Sequence, residues 1–188
     1  MSISKVVAEH FYSPRNVGDV AAPAFTGRAA SLICGATVRL SLRVDNARII
    51  DAKFKAAGCS TLVASLSLLT EHVKYRTAAE AAVIAQNAEN LLVNLEGVES
   101  HLSHCPRLAC DALITAIQSY SDSQRSEWIG DEALICTCFF ISEKTIEHEI
   151  ATKRLATVAD VTGACNAGGG CGSCHQLIQE ILDSQMLS

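Results

Sequence analysis

Two cysteine pairs, Cys136-Thr137-Cys138 and Cys171-Gly172-Ser173-Cys174, are separated by 32 intervening residues in a chain of 188 residues. If the four sulfurs share one site, the segments that carry them must meet, and everything between must fold back to allow it. C-x-C facing C-x-x-C offers four soft ligands to one tetrahedral zinc ion or to an iron–sulfur cluster. The stretch "CNAGGGCGSC" adds Gly168, Gly169, Gly170 and Gly172. With no side chains there, backbone N–H groups can approach cluster sulfides and stabilise their charge. A zinc ribbon normally repeats C-x-x-C on β-hairpin turns, so this arrangement suits iron–sulfur better.

Nine cysteines is an odd number and far below the density of a disulfide scaffold. The start, "MSISKVVAEHFYSPRN", lacks the apolar run of a signal peptide, and no apolar stretch approaches the ~18 residues that span a bilayer. The expected setting is the cytoplasm, where thiols stay reduced and clustered cysteines bind metal or do chemistry. No basic tract suggests nucleic acid. Charge is uneven: residues 1–120 carry 11 basic and 10 acidic groups (+1), whereas 121–188 carry 4 and 10 (−6). An acidic half of this kind can steer a basic redox partner.

Four cysteines, Cys34, Cys59, Cys105 and Cys110, precede the polar stretch "SYSDSQRSEWIGDEA" from Ser119, which reads as a linker. Before it, "TVRLSLRV" and "IDAKFKA" alternate around a turn at Asp45-Asn46 and predict an antiparallel hairpin with one wet face. Leu62, Leu66, Leu69 and Val73 form a helical stripe, and Thr77 with Glu80 makes a capping box. Pro106 suits a first helical turn, followed on one face by Leu113, Ile117 and Tyr120. The fold class is α+β, an antiparallel sheet covered by helices. The second unit reads as short helices around its cysteines, capped by Ser142 and Thr157, with metal supplying part of its stability.

Cys34 enters the hairpin, Cys59 leaves it one residue before a helix that Ser60 can cap, and Cys105 follows His104 at another helix start. A helix N-terminus favours a thiolate, and Gly35 and Gly58 admit close backbone approach. Three thiols and an imidazole at loop tips describe an exposed metal site; three unrelated core cysteines is the competing interpretation. Cys110 and Cys165 are expected to pack. His10, His72, His101, His148 and His175 are expected to be surface or satisfied residues. Trp128 is expected to anchor one unit on the other, and Phe11 and Tyr12 to pack the N-terminal segment.

Residues 8–120 resemble the IscU/NifU-type iron–sulfur scaffold, through "SPRNVGD", "CGATVRLSLRVDNARIIDAKFKAAGCSTLVASLSLLTE" and "HCPRLACDALITAIQSY". Residues 134–185 resemble the [2Fe-2S] domain of NifU and the bacterioferritin-associated ferredoxins, through "CTCFFISEKTIEHEI" and "AGGGCGSCHQLIQEIL". The order is that of NifU; its third module has no counterpart in these residues. The resemblance implies an IscU-like domain at 1–120, a linker at 121–133 and a [2Fe-2S]-binding domain at 134–188. It implies a non-enzymatic scaffold in which Cys34, Cys59 and Cys105, with His104 beside them, hold a transient [2Fe-2S] cluster or an iron or zinc ion. Cys136, Cys138, Cys171 and Cys174 are then ligands of a permanent [2Fe-2S] centre. The implied partners are a cysteine desulfurase, acceptor iron–sulfur apoproteins, an electron donor and a second copy in a homodimer; membrane and nucleic acid are not among them. An electron carrier with a zinc-bound or docking first domain is the alternative, and two structural zinc sites a weaker one.

Two departures stand out. The family's Cys-Gly-Asp is here Cys34-Gly35-Ala36, and loss of that aspartate is associated with a more tightly held cluster. The Leu-Pro-Pro-Val-Lys loop gripped by Hsp70-type chaperones is not matched by "NLEGVESHLSHC", so chaperone-assisted release is not expected.

Overall fold

The structure is a computed structural model describing residues 4–95, 102–128 and 132–186. His101 and the core of "NLEGVESHLSHC" lie outside the described residues. Helix α1 (Lys5–Tyr12) is followed by strands β1 (Phe25–Ala30), β2 (Thr37–Asp45) and β3 (Arg48–Ala57). Helices α2 (Ser60–Val73), α3 (Ala78–Gln86), α4 (Ala88–Asn94) and α5 (His104–Glu127) come next. The remainder is a two-stranded ribbon, β4 (Leu134–Cys136) and β5 (Ile141–Ser142), then α6 (Glu143–Lys153), α7 (Val158–Cys165) and α8 (His175–Met186). This is an α+β molecule with a small, largely helical second part.

The sheet is antiparallel in the order β1-β2-β3. Its hairpin turn centres on Asn46 and Ala47, both left-handed (φ 47° and 63°), which matches the twist of paired strands. Val38, Leu40 and Leu42 of β2 are buried beside Ile49, Ala52 and Phe54 of β3. Helices α2 and α5 cover that face. Leu62, Leu66, Leu69 and Val73 are fully buried, each contributing about 1.5–3 kcal/mol of apolar burial. The other face is only partly wet: Ser41 is buried, and its hydroxyl accepts from the Val20 amide where the segment after α1 crosses the sheet.

Strand β1 carries no clear alternation, yet its place is fixed by Gly27. A Cβ there would fall 2.0 Å from the Ala112 carbonyl oxygen and 2.4 Å from the Ala116 amide, because α5 lies directly across it. The polar stretch expected to be a linker continues α5 to Glu127. Those last turns are anchored rather than free. The Ser121 hydroxyl donates to the Cys138 carbonyl (2.5 Å), and the Arg125 guanidinium sits 5.0 Å from the Phe140 ring centre. Ile146, Val161, Ile178 and Leu182 of the second part join the core of the first.

The second part docks at the turn end of the hairpin. Asn166, left-handed and buried at the end of α7, accepts from the Ala79 amide (3.0 Å) and donates to the Ala47 carbonyl (3.4 Å). Arg48 donates to the Gly163 carbonyl (3.1 Å). Trp128 is not the anchor: its indole N–H bonds locally to the Glu132 carbonyl. Phe11 and Tyr12 stack edge-to-face on each other, and Tyr12 is 77% exposed; α1 docks instead through Val7, buried, and His10, bonded to Ser67.

Candidate cluster sites

The first sulfur set gathers at the open end of the sheet. Cys34 lies on the turn between β1 and β2, closed by amide bonds from Ser31 to Ala36 and from Gly35 to Ser31, with Gly35 left-handed (φ 71°). Cys59 itself, rather than Ser60, is the N-cap of α2 and makes no capping bond through its side chain. Cys105 is the second residue of α5. The three ends bring Cys59 Sγ to 3.2 Å from Cys105 Sγ and Cys34 Sγ to 3.3 Å from His104 Nε2, which is 3.7 Å from Cys105 Sγ. His104 thus bridges the exposed Cys34 to the buried Cys105, with half-buried Cys59 beside it.

The electrostatics separate the members. Cys34 is drawn down to about 7 by the Ser31 hydroxyl, then by the Ala36 backbone and His104. Cys105 is pushed up to about 12 by burial and by the Cys59 and Cys34 sulfurs. A cation placed among them removes that penalty, because thiolates ligate once a positive charge offsets their repulsion. Around Cys34 the turn exposes Leu32 (102%) and Ile33 (87%), an apolar tip beside the exposed thiol. Ala36 is buried, and its methyl lies 3.1 Å from where a Cβ on Gly58 would stand.

The second set is built from two loops, the end of β4 with its turn and the segment between α7 and α8. Cys138 Sγ lies 3.5 Å from Cys171 Sγ, while the Cys136 sulfur acts electrostatically on Cys174. Cys136 and Cys174 are buried and Cys171 exposed. Cys171 is drawn down to about 7 by the Ser173 hydroxyl and amide and by Cys138. Cys174 is pushed up to about 11 by burial and by Cys136. The Cys171 backbone pulls Cys138 down, but burial and the Cys171 and Cys136 sulfurs outweigh it and leave it raised.

Among the described residues, no three His, Cys, Asp or Glu side chains close on one point as a single-ion site would require. Each of the four thiols is within electrostatic reach of another, and together they are the soft donors that an iron–sulfur cluster or a zinc ion takes. The backbone closes on them: a Cβ on Gly170 would stand 2.8 Å from Cys138 Sγ.

The four glycines nevertheless divide their work. Gly169 faces the first part, where a Cβ would fall 2.0 Å from the Ala79 methyl, so it serves docking rather than sulfur. Gly168, left-handed (φ 83°), packs on His175, whose Nε2 lies 2.7 Å from the Gly168 carbonyl. Cys110 is buried in the core and pushed up to about 11 by burial, and Cys165 is buried at the end of α7; both pack. Ser31 and Ser173, which tune the two exposed thiols, were not singled out by sequence. Their signal is a hydroxyl three residues before one cysteine and two after the other.

Residues 2–127 match the family model described as the NifU-like N terminal domain, and residues 134–184 that of the BFD-like [2Fe-2S] binding domain. The chain is 34% identical over 185 residues to the nitrogen fixation protein NifU of Azotobacter chroococcum mcd 1, covering 97% of this chain and 59% of that protein. It is 40% identical over 130 residues to the iron–sulfur cluster assembly scaffold protein IscU of Haemophilus influenzae, covering 66% of this chain and 99% of that one. A crystal structure titled a putative iron–sulfur cluster assembly scaffold protein for the SUF system, from Fervidobacterium islandicum AW-1, shares the fold with a TM-score of 0.53. That likeness has 23% identity and covers 61% of this chain and 95% of that chain. The chain spans about three fifths of the length of the NifU proteins it matches. It belongs to the NifU-like N-terminal domain family, with a BFD-like [2Fe-2S]-binding domain joined behind.

Proposed function

We propose that the chain is an iron–sulfur assembly scaffold: the first set builds a transient [2Fe-2S] cluster and yields it to acceptor apoproteins, while the second retains a [2Fe-2S] centre. The observation that carries this is the first set's gradient from an exposed, ionisable Cys34 through His104 and the half-buried Cys59 to the buried Cys105. A resident metal site has no use for an open, apolar-tipped entrance; a site that receives and surrenders cargo does.

The Cys34 thiolate attacks the outer sulfur of a persulfide on a cysteine desulfurase. The sulfur–sulfur bond there breaks, the desulfurase thiolate leaves, and a persulfide forms on Cys34. Cys59, Cys105 and His104 stand ready to share iron with that sulfur. The second set, when loaded, supplies one-electron chemistry, and Gly170 and the Cys136–Cys174 pair hold and shield it. The working division is a scaffold unit at 1–120 and a [2Fe-2S] unit at 134–188, acting in a reducing compartment as a homodimer. Among the described residues no helix is long and apolar enough to cross a membrane.

Anaerobic purification followed by visible spectroscopy and metal analysis, before and after reconstitution with desulfurase, cysteine and iron, tests the proposal. Two spectroscopically distinct iron–sulfur signals, one already present and one gained, are expected. Colourless protein holding zinc at both sets, or a single stable centre throughout, would contradict it.

A further inference from the structure

The two sulfur sets occupy opposite ends of the molecule. Cys105 is in the first turn of α5, whereas Ser121, which holds Cys138, is sixteen residues further on. At 1.5 Å per residue that is about 24 Å. The hairpin gives an independent measure. The second unit sits at its turn, on Ala47 and Arg48, and the first set lies beyond Ala57, about 30 Å along β3 at the ordinary strand rise. While Asn166 and Ser121 hold their contacts, a chain cannot bring its own second unit to its own first set.

On the outer face of the sheet, Arg28 is in register with Arg39 and Arg39 with Lys55, a row of three cations directly opposite one another across the strands. Like charges so placed destabilise a sheet. Asp19 pairs with Arg39 and, at 2.5 Å, with Lys55, but Arg28 is exposed and makes no ion pair among the described residues. The three side chains line a groove of about 380 Å³ with Thr37, Val38 and Ala57. Cys59 is four residues along from Lys55, about 14 Å at the strand rise. Nothing in the fold calls for this row. The same chain carries its counterpart: residues 121–188 have a net charge of −6, and Asp122, Glu127, Glu143, Asp160, Glu180 and Asp183 are exposed.

We propose that the acidic second unit of one copy docks on the Arg28–Arg39–Lys55 row beside the first sulfur set of another copy. The charges that cannot meet within one chain meet between two, and a two-fold axis makes the contact reciprocal. The pairing brings each copy's second set towards the other's first set, the juxtaposition an electron source for cluster assembly needs. That consequence alone rests on the function proposed above.

The test uses the full chain as purified anaerobically, as a mixture of unlabelled and ¹⁵N-labelled copies treated with a zero-length carbodiimide cross-linker. Mass spectrometry is expected to find mixed-label links from Lys55 to carboxylates within 121–188. Sedimentation equilibrium is expected to show a dimer whose Kd rises about tenfold or more between low and physiological salt. Arg28→Glu is expected to raise that Kd about tenfold and deplete the mixed-label links, with an unchanged circular dichroism spectrum. Links confined to Lys55 and Asp19 of one copy would overturn the proposal. So would a monomer at every salt concentration, or a dimer indifferent to salt and to Arg28→Glu. Any of these leaves the metal content of both sets untouched, so this failure is distinguishable from failure of the scaffold function.

Discussion

Cys34 and Cys171 are both exposed thiols drawn down to about 7, each helped by a nearby serine hydroxyl and each within reach of partners held up by burial. The ground around them differs. Cys34 stands on a turn with bare apolar neighbours, and its set is assembled from three element ends far apart in sequence. Cys171 lies on a loop whose other residues are braced: Gly169 on Ala79, Gly170 on Cys138, Asn166 on Ala47 and Ala79. On the proposed function, the same thiol chemistry would serve an open site that accepts and releases, and a clasped site that retains. Ionisable entrance and buried anchor are common to both; the proposed difference in residence would then follow from how firmly the surrounding backbone is tied.

The comparison breaks first at Gly170. Gly170→Val puts a branched side chain where Cys138 Sγ stands, so essentially all second-set iron–sulfur absorbance should be lost while the first set still reconstitutes. Loss of both signals would show that the sets are not independent. Alkylation of the metal-free chain sharpens the electrostatic side. At pH 7, Cys34 and Cys171 should react at least about 100-fold faster than Cys105, read by peptide mass spectrometry, because only the thiolate attacks. Both folded values lie below the ordinary thiol near 8.5, so their rates should fall as pH drops through about 7, and Ser31→Ala should move the Cys34 midpoint upward.

The clasp is next. Asn166→Ala leaves the buried Ala79 amide unpaired and should cost about 1–3 kcal/mol in urea unfolding, whereas a mere surface loop would register near zero. Smallest is the change at the open site. Ala36→Asp adds a carboxylate against Gly58, two residues from Cys34, disfavouring neighbouring thiolates by about one pKa unit, or 1.4 kcal/mol. Transfer of the first-set cluster to an apo-ferredoxin should then quicken about tenfold, and equal rates from both forms would remove the significance given to Ala36.

Periodic features were legible in the sequence. The β2–β3 hairpin, the Leu62–Val73 stripe and the caps at Thr77, Ser142 and Thr157 follow from local spacing, and the structure holds all of them. The thiol sets were legible as residue types at telling spacings, though not in the contacts they make, such as Cys59 with Cys105 and Cys138 with Cys171. What escaped depends on contacts distant in sequence. Strand β1 is short and interrupted by Gly27, whose meaning emerges only when α5 lies on it. Residues 121–127 are polar enough to read as linker, but Cys138 and Phe140 hold them helical. Gly169 could not be told from Gly170 by sequence, because one faces Ala79 and the other Cys138.

A single experiment bears on the difference between the sets most directly: reconstitute the whole chain, add an excess of apo-acceptor, and follow both iron–sulfur signals by circular dichroism, alongside Cys34→Ala and Cys171→Ala chains. The transferable signal should vanish in Cys34→Ala and the retained one in Cys171→Ala. Transfer that survives Cys34→Ala, or a second-set cluster that drains into the acceptor as fast as the first, would contradict the account.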